Sequence, residues 1–143
     1  LILRVFLDAN VLFSACYRPD GRLRLFFDLA AAGQVALVSS RFALEEARRN
    51  LAAKNPLAVP LLEEMLTQLE LSREGGPAEL AAASMLPAKD APILAAALAA
   101  RCALLVTGDV RHFGELFGRR IDDLRIMRPA DALRAILAAE NSR

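Results

Sequence analysis

Ile2-Leu3-Arg4-Val5-Phe6-Leu7-Asp8-Ala9-Asn10 decides how this chain is read. Residues 2–7 form a short apolar run, partly β-branched and aromatic, and read as a buried strand that stops at a carboxylate. A second run of this kind, 103–106, ends in Thr107-Gly108-Asp109. Short apolar strands suit the middle of a parallel sheet covered on both faces. Ligands of open parallel sheets bind outside the carboxyl ends of the strands. Asp8 and Asp109 are therefore expected on one rim.

Outward from these two runs, strands and helices alternate. Leu23, Phe26, Phe27 and Ala30 recur at helical spacing, and Gly33 closes that helix. Residues 35–38 read as a strand, followed by a helix over about 41–53 that Ser39 or Ser40 can cap. Asn55-Pro56 breaks it. A further amphipathic helix is predicted over 57–69, then a loop at 72–77; residues 78–87 stay ambiguous. A helix over 90–101 leads into the strand at 103–106, and a short helix over 110–117 follows. Residues 124–127 read as a fourth strand, and Pro129 opens a terminal helix to residue 139. The expected fold is α/β, three layers α/β/α around a short, mostly parallel sheet, in one domain over 1–143.

Composition narrows the class. At 55% hydrophobic residues in 143, disorder is not expected. No apolar run reaches the roughly 18 residues of a membrane span, and no signal peptide is legible. A cytoplasmic protein with no membrane association is expected. Cys16 and Cys102 are too few and too far apart for a metal knuckle and read as reduced thiols. Net charge is only +1, yet 16 of the 18 basic residues are Arg, the side chain suited to bidentate phosphate contacts. A GC-rich genome explains the same bias.

Four carboxylates are candidates for one site: Asp8, Asp90, Asp109 and a helical acid, Glu46 or its neighbour Glu45. Gathered together, they repel one another unless cations neutralise them, which is the signature of a divalent-metal site for phosphate chemistry. Each also has an ordinary explanation. Asp8 can satisfy backbone donors in a turn, Asp90 and Asp109 can cap helices, and helical Glu is commonly solvated. Asn10 can orient a carboxylate or metal-bound water, Thr107 places a hydroxyl beside Asp109, and Gly108 permits close backbone approach.

Taken in order, Leu7-Asp8-Ala9-Asn10-Val11-Leu12, Leu44-Glu45-Glu46-Ala47, Lys89-Asp90-Ala91-Pro92-Ile93-Leu94, Leu104-Leu105-Val106-Thr107-Gly108-Asp109 with His112-Phe113, and Pro129-Ala130-Asp131-Ala132-Leu133 resemble the PIN-domain ribonucleases, a family that includes many toxins of bacterial toxin–antitoxin pairs. No single motif is specific; the ordered set is. Ala9 stands where Thr or Ser is common, and the resemblance favours Glu46 over Glu45. It implies a metal-dependent endoribonuclease in which Asp8, Glu46, Asp90 and Asp109 hold one or two Mg²⁺ or Mn²⁺ ions and RNA is the substrate. Asn10, Thr107, Arg111 and His112 would then lie near substrate or metal-bound water. A small antitoxin protein and self-association, with the 57–69 segment as a candidate interface, also follow from the resemblance. Two other readings compete. One is a catalytically inert PIN-like module for RNA binding or protein docking. The other is a phosphoryl-transfer or receiver-like domain, which lacks a well-placed Lys and a second acid at position 10.

Overall fold

The computed structural model describes residues 2–141. β1 (Leu3–Leu7) lies between β2 (Val35–Ser40) and β4 (Leu104–Val106), parallel to both. β3 (Leu69–Ser72) adds in parallel to the outer edge of β2, and β6 (Leu124–Met127) in parallel to β4. β5 (Arg120–Ile121) turns back antiparallel at the far edge, giving the order β3-β2-β1-β4-β6-β5. In the centre of β1, Val5, Phe6 and Leu7 are all fully buried, although successive side chains point to opposite faces. Both faces are therefore covered, and the architecture is the expected three-layer α/β/α.

The helices are α1 (Ala9–Tyr17), α2 (Arg24–Ala31), α3 (Arg41–Lys54), α4 (Val59–Met65), α5 (Pro77–Ala82), α6 (Ala91–Ala99), α7 (Val110–Phe113) and α8 (Pro129–Asn141). α1, α3 and α4 pack on one another, and α6 lies against β2 and β4. Gly33, at φ 76°, ends α2: its N–H donates to Ala30 O, and the N–H of Gln34 donates to Leu29 O. Only glycine enters that left-handed turn without strain. Gly75 packs against the α6 backbone, where an added Cβ would stand 2.8 Å from the carbonyl oxygen of Ala95.

Three local readings change. Residues 9–17, given no element from sequence, form α1, because Asp8 caps them and Val11, Leu12 and Ala15 are buried. The helix predicted to residue 69 stops at Met65. A 3₁₀ turn follows, and Leu69 enters β3 opposite Leu37. Pairing with β2 overrides the helical spacing of Leu62, Met65, Leu66 and Leu69. The ambiguous 78–87 stretch begins as α5, with Pro77 in its first turn and the Gly76 N–H donating to Glu79 Oε1 at 2.8 Å.

No helix among the described residues is long and apolar enough to cross a membrane. Cys16 and Cys102 are buried free thiols, pushed by burial up to about 11 and about 12 respectively. Neither is a reactive thiolate at neutral pH.

Candidate metal centre

The strand order reverses direction between β1 and β4: the chain moves from β1 to β2 on one side and later returns to β4 on the other. A crevice at such a switch point is where doubly wound sheets bind ligands. Asp8 leaves β1 there and Thr107-Gly108-Asp109 leave β4, with the Asp8 N–H donating to Val106 O at 3.0 Å. α6 runs back across the sheet into β4, so its first turn, preceded by Asp90, returns to the same rim. α3 packs against α1 and turns Glu46 towards it.

These four acids line one cavity of about 420 Å³, together with Asn10, Ser14, Lys89 and Gly108. Glu46 is half-buried on its wall, whereas Glu45 is exposed and does not line it. The helix phase that periodicity left open is thus settled by packing: Ala43, Leu44, Ala47 and Leu51 form the buried stripe, and Glu46 flanks it on the cavity side.

Asp8 is held at both oxygens. Oδ1 accepts from the Ala9 N–H at 2.7 Å, which caps α1, and Oδ2 accepts from Thr107 Oγ1 at 2.8 Å and Asn10 Nδ2 at 3.1 Å. The Asn10 carbonyl oxygen in turn accepts from the Gly108 N–H at 2.7 Å. Asp8 therefore caps α1 and lines the cavity at the same time. Thr107, expected near substrate, is fully buried; its hydroxyl serves Asp8 and accepts from the Asp109 N–H at 3.1 Å.

Asp109 likewise divides its oxygens. Oδ1 caps α7 through the His112 N–H at 3.1 Å, and Oδ2 meets His112 Nδ1 at 2.8 Å. His112 Nδ1 also lies 3.1 Å from Asp90 Oδ2, but that oxygen, though buried, accepts no hydrogen bond. In the tautomer that carries a hydrogen on Nδ1, that hydrogen serves the nearer oxygen, Asp109 Oδ2. Single donor atoms of Asp90, Asp109 and His112 all fall within 4.8 Å of one another.

Burial pushes the Asp8 carboxyl up to about 6; Thr107 and Ala9 oppose the rise, and Glu46 and Asp90 add to it. Burial likewise raises Asp90, with His112 and Lys89 opposing and Asp109 adding. Carboxylates crowded and desolvated in this way are short of positive charge, which a divalent cation would supply. The donors are carboxylate oxygens and one imidazole, and one buried carboxylate oxygen is unpartnered. The residues present fit a hard divalent cation.

Lys89 and Ser14 reach the cavity without having been expected there. For Lys89 the signal was its adjacency to Asp90; for Ser14 it was the helical spacing Asn10, Ser14. Arg111 is exposed and, with His112, Met85 and Leu86, lines a neighbouring cavity rather than the acidic one; the His112 ring meets the acids through Nδ1. Arg48 is paired with Glu63 at 2.9 Å.

A doubly wound α/β domain with four acids at its switch point defines the class. The sequence profile of the PIN domain matches residues 4–111, and the chain belongs to the PIN domain family. Among solved structures, it resembles VapBC2 from Rickettsia felis bound to a DNA fragment from their promoter, at TM-score 0.63 and 18% identity, covering 88% of this chain and 98% of that one. It also resembles VapBC-1 from nontypeable Haemophilus influenzae, at TM-score 0.57 and 16% identity, covering 90% and 99%. No curated protein matches with significance.

Proposed function

We propose that this chain is a metal-dependent endoribonuclease that hydrolyses RNA phosphodiester bonds, and that it is the toxin of a toxin–antitoxin pair. The observation that carries the first part is the meeting of Asp8, Glu46, Asp90 and Asp109 in one cavity, although they are spread from residue 8 to residue 109. These acids would hold one or two Mg²⁺ or Mn²⁺ ions. Such an ion, when bound, supplies an activated water and offsets negative charge on the phosphate.

The chain's own residues then have distinct tasks. Asn10 and Thr107 fix the Asp8 carboxylate, so that its orientation is set before a cation arrives. Lys89, on the cavity wall, offers a positive contact for an approaching phosphate. Arg111, one cavity over, suits a neighbouring phosphate of the same strand. The chain has one Tyr and no Trp, so base stacking contributes little to recognition.

The toxin assignment rests on the family resemblance and on the paired name VapBC carried by both solved neighbours. It implies a small antitoxin protein as partner. Co-expression with the product of the adjacent small reading frame tests it: a stable complex that blocks cleavage supports the pair.

Purified protein incubated with RNA and Mg²⁺ or Mn²⁺ tests the chemistry. Cleavage is expected from the wild type and absent from Asp8→Asn and Asp109→Asn with unchanged circular dichroism. Full activity in either variant would remove the assignment.

A further inference from the structure

We propose that His112 is itself a metal ligand through Nδ1, completing with Asp90 and Asp109 a mixed nitrogen–oxygen site that favours Mn²⁺ and similar transition ions over Mg²⁺. The inference rests on the reading of the cavity as a divalent-metal site and says which ion that site selects.

Geometry carries it. His112 Nδ1 stands 2.8 Å from Asp109 Oδ2 and 3.1 Å from Asp90 Oδ2. An octahedral divalent ion with bonds of about 2.1 Å has adjacent donors about 3.0 Å apart. The imidazole nitrogen thus stands from each carboxylate oxygen at the spacing of neighbouring ligands on one cation, and single donor atoms of all three side chains lie within 4.8 Å of one another. A plain hydrogen-bond account covers only half of this. A hydrogen on Nδ1 would serve the nearer oxygen, that of Asp109, while Asp90 Oδ2, in a residue 6% exposed, has no hydrogen bond although the same nitrogen is near. A cation in place of that hydrogen serves both oxygens, with the imidazole in its Nε2–H tautomer.

Local structure holds the ring in place. Asp109 caps α7 through the His112 N–H, which ties the backbone of His112 to the carboxylate its ring faces. Phe113, the next residue, is fully buried and anchors the turn.

The chemistry of the donors sets selectivity. Carboxylates alone accept Mg²⁺ and Mn²⁺ similarly, whereas imidazole suits transition ions and is a poor Mg²⁺ ligand.

Pulsed electron paramagnetic resonance of the wild-type protein loaded with Mn²⁺ reads this directly, independent of any activity. Electron spin echo modulation from a directly bound imidazole nitrogen is expected, changing on ¹⁵N-histidine labelling and vanishing in His112→Ala. By calorimetry, His112→Ala is expected to weaken Mn²⁺ binding about tenfold or more while leaving Mg²⁺ binding within about threefold. Mn²⁺ bound in the wild type and lost in Asp109→Asn, but with no nitrogen coupling, overturns the ligand assignment and leaves the nuclease reading standing. No Mn²⁺ binding at all overturns both.

Discussion

Thr107 Oγ1 donates a 2.8 Å hydrogen bond to Asp8 Oδ2, joining the ends of β4 and β1 across 99 residues of chain. This bond fixes one rim acid to the strand that delivers another. Because Thr107 is fully buried, its hydroxyl has no solvent to fall back on.

Thr107→Val keeps the shape and removes that donor. A hydrogen bond to a charged, buried carboxylate contributes about 1.5–3 kcal/mol, so urea unfolding at pH 7 should show a loss of that order. Cleavage should fall as well, and Thr107→Ser should restore both. Unchanged stability in the Val variant contradicts the role given to Thr107.

Asp8 gives stability a defined pH dependence. Burial raises its folded-state value to about 6, so the fold holds the proton more tightly than the unfolded chain does. Below about pH 3 the carboxyl is protonated in both states and costs nothing. As pH rises towards 6 the unfolded chain ionises first and stability falls, by at most about 3 kcal/mol once both states are ionised. Asp8→Asn lacks this step. The stability of wild type relative to the Asn variant should therefore decline from pH 4 to pH 7, and millimolar Mn²⁺ should restore it at pH 7. Parallel curves for the two proteins would count against the buried, cation-seeking carboxyl.

Glu46 and Glu45 differ only in which side of α3 they occupy. Glu46→Gln should weaken divalent-cation binding in calorimetric titration and lower cleavage, whereas Glu45→Gln should change neither, since Glu45 is exposed and off the cavity. Equal effects from both would contradict the placement of the helix.

Gly75 meets the α6 backbone so closely that any Cβ must displace it. Gly75→Ala should destabilise the fold by about 1–3 kcal/mol, the usual cost of overpacking. Because α6 follows directly from Asp90, it should also perturb metal binding. Thermal unfolding with and without Mn²⁺ measures both effects.

Much of the fold was legible because its centre obeys simple patterns. β1, apolar but for Arg4, and β4 are short runs that lead into Asp8 and Asp109, and Gly33 closes α2 as a left-handed glycine should. β3 was not legible, because an edge strand of four residues carrying Glu70 and a half-exposed Leu71 has no pattern of its own; its pairing with β2 creates it. The rim acids could be named from strand ends, but the phase of α3 that selects Glu46 depends on packing against α1. His112 was visible as the only histidine. Its approach to Asp90 and Asp109 was not, because α6 and α7 meet only in three dimensions. Lys89 follows no strand end, yet the turn before α6 carries it onto the cavity wall.

The central claim is that Asp8, Glu46, Asp90 and Asp109 share a divalent cation. Crystals soaked in millimolar Mn²⁺ and measured at the manganese absorption edge test it most directly. The expected result is an anomalous peak inside the cavity these side chains line, bonded to Asp90 and Asp109. A cavity free of anomalous signal, or peaks confined to the outer surface, would contradict it.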